Sequence, residues 1–154
     1  MFEKILKTDR DISAFILRLT LGIIFFPHGA QKALGWFGGY GLSATLAHFT
    51  DKMHIPLIFA LLAVTAEFLG AIALILGFFT RVAAFGITIV MLVAVYMVHA
   101  QNGFFMNWSG MQKGEGFEFH LLAIGIAIAL MIKGAGSFSI DKGIIKKSIY
   151  KPPK

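Results

Sequence analysis

The chain has 154 residues, of which 57% are hydrophobic and only 14% charged, with a mean hydropathy of +0.77. Soluble domains carry about 25% charged residues, so a water-soluble fold is excluded, and the absence of Cys excludes a disulfide framework, thiolate metal sites and intrinsic thiol–disulfide chemistry. The net charge of +6 and pI near 9.7 would suit a nucleic-acid binder, but most Lys and Arg lie in the terminal segments beside apolar runs and form no groove-reading module, which excludes that class.

Four apolar segments follow one another, at about residues 12–34, 55–79, 82–100 and 117–132. Each approaches the ~20 residues a helix needs to cross ~30 Å of hydrocarbon. Backbone groups in lipid must be paired within their own segment, so the expectation is an all-α integral membrane four-helix bundle, a single domain with four transmembrane helices. The first segment is too long for a signal-peptide core and is interrupted by Arg18, His28 and Lys32. The fourth is the shortest and begins at the interface.

Basic residues set the expected orientation. Lys4, Lys7, Arg10, Arg81, Lys133, Lys142, Lys146, Lys147, Lys151 and Lys154 fall on one face, against Lys32, Lys52 and Lys113 on the other. Ten against three places both termini in the cytoplasm. Spans two and three join through the tight Gly77–Arg81 hairpin, in which Thr80 is positioned to N-cap the third helix. The two outer loops are longer, and Trp36, Tyr40 and Trp108 are placed for an outer aromatic belt. No internal repeat is visible.

Ionisable side chains inside a bilayer are costly, so each is a candidate for function. In span one, Arg18, Gly22, Phe25, Gly29 and Lys32 share a helical face, with His28 at its edge. The glycines would admit a close neighbour helix. Glu67 lies near the middle of span two, and opposite helix directions bring it to the half of the membrane that holds Arg18, so the simplest expectation is that the two pair, as a structural ion pair or as a proton- or substrate-binding carboxylate. In the outer half, topology brings His28, Lys32, His99, Glu118 and His120 to one membrane face. Such a set could hydrogen-bond a quinone carbonyl, ligate a metal or haem, or relay protons. It could equally consist of separate interfacial residues. No recognised metal spacing such as HExxH is present. Asn107-Trp108-Ser109 fits a glycosylation acceptor, a triplet common by chance, and no phosphate loop or nucleotide fingerprint is found.

The motifs Arg18-Leu19-Thr20-Leu21-Gly22, Phe26-Pro27-His28-Gly29-Ala30-Gln31-Lys32, Glu67-Phe68-Leu69-Gly70, Gly77-Phe78-Phe79-Thr80-Arg81, Asn102-Gly103-Phe104, Gly116-Phe117-Glu118 and Gly136-Ser137-Phe138-Ser139-Ile140-Asp141 occur in this order. On these, the chain resembles the DoxX family of small bacterial membrane proteins from about Arg18 to Gly143. The resemblance implies a four-helix bundle in the bacterial inner (plasma) membrane. It also implies a link to quinone-dependent redox chemistry, since the family is named for a small subunit associated with thiosulfate:quinone oxidoreductase, while most members have no assigned reaction. No residue here identifies thiosulfate chemistry. The leading expectation is therefore a quinone-interacting subunit of a membrane redox complex, with membrane lipids, redox subunits and a second copy as candidate partners. The alternatives are a non-catalytic scaffold or anchor and a small transporter using Glu67. Against the transporter stand the four spans and the lack of an inverted repeat.

Overall fold

A computed structural model describes residues 5–149, with side chains through residue 145. Lys4, Lys151 and Lys154 of the charge count lie outside the described residues, as do the side chains of Lys146 and Lys147. The described residues are helical and contain no strand. In chain order the helices are α1 (Ile12–Leu34), α2 (Gly41–Ala47), α3 (Leu57–Leu76), α4 (Thr80–Ala94), α5 (Glu118–Lys133) and α6 (Ile140–Ile149). A π-helical turn, His48–Lys52, prolongs α2, so the first long loop contains a short helix that its glycines did not suggest. A second π-turn, Val95–His99, followed by the 3-10 turn Ala100–Asn102, prolongs α4.

Three helical stretches, Ile12–Leu34, Leu57–Leu76 and Thr80–Asn102, are long and apolar enough to cross a bilayer. The segment expected at 117–132 is the sixteen-residue α5, about 24 Å long at 1.5 Å per residue. The second segment is trimmed at both ends from the expected 55–79, by Pro56 before α3 and by Gly77 after it. Gly77 has φ +66 and is approached so closely by the tail that a Cβ would lie 2.5 Å from Ser139 Cβ, which leaves glycine as the fitting residue. Thr80 is the first residue of α4 and not its cap.

α1 packs on α3, α3 on α4, α4 on α5 and α5 back on α1. The interior is built largely from small side chains: Ala14, Ala60, Ala71, Ala84 and Ala127 are fully buried, with Leu21, Leu74, Ile87 and Leu130 among them. Ile23, Leu62, Leu69, Phe85, Leu92 and Leu122 face outward instead. Large apolar groups outside and small ones at the helix contacts is the arrangement expected where lipid is the solvent and backbones gain by close approach. Gly29 is the tightest such contact, with its Cα against the α3 backbone so that a Cβ would lie 2.5 Å from Phe68 Cα. Gly22 sits about two turns away, against Ala71 and Ile75. The face of span one that carries Arg18, Gly22, Phe25 and Gly29 is indeed the buried face.

Candidate functional site

The candidate residues fall into three groups along the bundle. At the end that holds the described N- and C-terminal segments, Arg18 is completely buried. Helical side chains lean toward their own N-terminus, so Arg18 reaches past Glu67 to the C-terminal end of α3. There Nη1 donates to the Leu74 and Ile75 carbonyls at 2.9 and 2.6 Å. Nε donates to Ala135 at 2.9 Å, and Nη2 to Ser137 and Phe138 at 3.2 and 2.6 Å. The expected Arg18–Glu67 pair is therefore not formed. The last carbonyls of a helix lack partners within it, and a guanidinium with five donors satisfies them and the following loop together.

Arg81 does the same for α5. Its Nε and Nη2 donate to Met131 and Ile132 at 2.8 and 2.9 Å, and Nη1 reaches the Ile5 and Lys7 carbonyls. Asp141 completes this end: its carboxylate accepts from the Phe79 and Thr80 amides at 2.7 and 3.0 Å, capping α4 from the tail. Burial pushes the Asp141 carboxyl above the ordinary carboxylate value, partly offset by those amide hydrogen bonds. Sequence reasoning gave Asp141 and Arg81 no site role. Asp141 lies in a polar tail with no apolar period, and a capping interaction between residues 61 apart leaves no local signal.

At the α1–α3 contact, Lys32, in the last turn of α1, forms an ion pair with Glu67. Glu67 is only 5% exposed. The pair arises because α1 and α3 are antiparallel: Lys32 leans back along α1 while Glu67 leans the other way along α3, and the Gly29 contact holds the backbones close enough for them to meet. Lys32 thus belongs with Glu67 and not with the outer histidines.

At the opposite end, His99 and His120 come together, ring centroids 4.1 Å apart. His99 is carried by the π-turn that ends the α4 rod, and His120 by the first turn of α5. His99 Nδ1 lies 2.8 Å from the Glu115 carbonyl. A carbonyl only accepts, so the hydrogen bond assigns the proton to Nδ1 and leaves Nε2 of the neutral ring as an acceptor. His120 is 6% exposed, and its Nδ1 is buried with no hydrogen-bond partner among the described residues. Glu118 turns away from the pair and accepts from Met106 N at 2.9 Å and from the Trp108 indole at 3.2 Å, anchoring the loop. His28 is exposed and reaches the histidine pair only through intervening rings: Phe25 lies 6.4 Å from His28 and 6.3 Å from Phe119, the neighbour of His120. Of the five outer residues expected to share a face, two are in contact. No group of three or more metal-ligating side chains occurs among the described residues.

A family model described as DoxX matches residues 13–100. An uncharacterized protein of Haemophilus influenzae is 30% identical over 146 residues, covering 88% of this chain and 85% of its own length. The inner membrane protein YqjF of Escherichia coli is 25% identical, covering 92% of this chain and 99% of its own length. CatD of Bacillus subtilis, whose name proposes an oxidoreductase, is 24% identical, covering 88% and 90%. No solved structure matches.

Proposed function

The chain belongs to the DoxX family of membrane proteins, and on that premise we propose that it is a four-span protein of the bacterial inner membrane, both termini cytoplasmic, that binds a quinone or similar lipid-soluble ring beside His99 and His120 as a small subunit of a redox complex. The observation that carries this reading is the buried His120 Nδ1, without a partner among the described residues, on a ring tilted 41° against that of His99, whose Nδ1 donates to the Glu115 carbonyl. A buried polar nitrogen left unpaired costs about 1–3 kcal/mol, and a ligand oxygen would recover that. A quinone carbonyl accepts a hydrogen bond and a quinol hydroxyl donates one. His120 Nδ1 can supply the donor, in the tautomer that protonates it, and His99 Nε2 the acceptor. The aromatic surroundings, Phe25 and Phe119, suit a flat ring. An inner-membrane name for YqjF and an oxidoreductase name for CatD support the location and the class.

Mass spectrometry of the protein extracted gently from its own membrane tests this. Near-stoichiometric quinone in the wild type, falling at least tenfold in His120→Phe, is the expected result. Wild-type protein free of quinone, with no co-purifying redox subunit, would sink the reading. The scaffold alternative has its own support, since Arg18, Arg81, Lys32, Glu67 and Glu118 are all engaged in contacts that hold helices and loops. On that reading His120→Phe leaves partner binding intact and raises thermal stability by removing an unpaired polar atom. Engagement of Glu67 by Lys32 argues against the transporter, in which the carboxylate would have to exchange protons or substrate.

A further inference from the structure

The tail that Arg18 and Asp141 lock onto the bundle builds a second site. Between the N-terminal segment and the start of α6 lies an open groove of about 430 Å³ lined by Arg10, Ser137, Phe138 and Lys142. Its two cations have no ion-pair partner among the described residues, whereas Lys133, at the same end, is paired with Asp11. The nearby acidic groups do not neutralise them. The Asp141 carboxylate is turned to the Phe79 and Thr80 amides, Asp11 caps α1 and holds Lys133, and Asp9 does not line the groove.

Phe138 is the unusual member. It is 78% exposed, and its φ of +53 lies in the left-handed region that a residue with a Cβ rarely adopts. Arg18 enforces that conformation by holding the carbonyls of both Ser137 and Phe138, while Phe15 braces the ring at 5.3 Å, edge on. An exposed aromatic ring held in an unfavourable backbone conformation, lining one groove with two cations that have no ion-pair partner among the described residues, makes an amphipathic recess at the end of the apolar rods. We infer that this groove holds the headgroup of an anionic phospholipid, its phosphate between Arg10 and Lys142, its polar rim against the Ser137 hydroxyl and its upper acyl chain against Phe138. The inference deepens the membrane reading above and does not depend on the quinone.

The test uses the full chain in mild detergent and native mass spectrometry with added phosphatidylglycerol or phosphatidylcholine. Wild-type protein should retain phosphatidylglycerol in preference to phosphatidylcholine. Each basic side chain near a membrane surface contributes about fivefold to binding of anionic lipid, so the double variant Arg10→Gln/Lys142→Gln should lose on the order of thirtyfold. Among the described residues neither side chain has a hydrogen-bond partner, so the variant should melt with the wild type and keep any bound quinone. Lys52→Gln/Lys113→Gln, at the other end of the bundle, should retain the lipid and controls for general charge. Equal retention of phosphatidylglycerol by Arg10→Gln/Lys142→Gln and wild type would overturn the assignment. Displacement of the lipid by millimolar glycerol phosphate would also overturn it, in favour of a soluble phosphate compound.

Discussion

Five backbone carbonyls from two distant segments converge on the Arg18 side chain, and every one of its nitrogens is engaged. Arg18→Lys keeps the charge but offers three donors to five acceptors, so at least two buried carbonyls lose their partner. Each stranded group costs about 1–3 kcal/mol, so two give an expected loss of about 2–6 kcal/mol. Arg18→Met should cost more. Thermal unfolding in detergent measures both, and a lysine variant that melts with the wild type would show that the network carries no stability. The sequence identified Arg18 as too deep to ignore but not what it does. A carboxylate is the first partner one seeks for a buried cation, and Glu67 lay at a plausible depth. Helix ends and the aperiodic segment from Gly134 to Asp141 offered carbonyls instead, and acceptors on the backbone have no residue type to betray them. The same reason hid Asp141, whose partners are two amides. The sequence grouped His99 and His120, and the structure brings their rings into contact. Their separation from His28, Lys32 and Glu118 was not legible, because side-chain lean and the π-turn at Val95–His99 decide which of several neighbours meet.

At the scale of the helices, close approach decides most of the packing. Adding a methyl at Gly29 would place it 2.5 Å from Phe68 Cα and 2.7 Å from the Glu67 carbonyl carbon, atoms of a helix backbone that cannot rotate aside. Gly29→Ala must therefore push α1 from α3 and pull Lys32 off Glu67, breaking an ion pair whose carboxylate is buried. Overpacking costs about 1–3 kcal/mol, and loss of the pair adds to it. Gly125→Ala on α5 is the matched control, with nothing within 4 Å of the added carbon and a gain in helix propensity of up to about 1 kcal/mol. Melting temperatures in detergent should fall for the first and hold or rise for the second. Equal behaviour would mean that the helices are not packed at this spacing. The small-residue positions of α1 were readable because glycine at helical period in an apolar run has few other uses. The short helix Gly41–Ala47 was not, because the glycines that lead into it and its own Ser43 and Thr45 also suit a loop.

The whole molecule is arranged so that its two ends have different work: one end is closed by Arg18, Arg81 and Asp141, and the other carries the histidine pair under a loop anchored by Glu118. In the orientation proposed from the count of basic residues, the closed end is the cytoplasmic one. The three longer rods were legible from length and hydropathy alone. The weak point is α5, whose sixteen residues reach about 24 Å against ~30 Å of hydrocarbon. It can still cross where its ends, Glu118 and Lys133, lie in the headgroup layers and the bilayer thins locally. The absence of any native Cys makes a direct test simple, because each introduced Cys is the only thiol in the chain. Asp9→Cys and Gly143→Cys replace exposed residues before α1 and after α5, and Lys113→Cys replaces one in the loop between α4 and α5. In spheroplasts an impermeant maleimide should label Lys113→Cys at once, and the other two only after lysis. Labelling of Asp9→Cys and Gly143→Cys from opposite sides would show that only three helices cross. Labelling of both from outside, with Lys113→Cys protected, would invert the protein and place the histidine pair at the cytoplasmic face, where a quinone site would exchange protons with the cell interior.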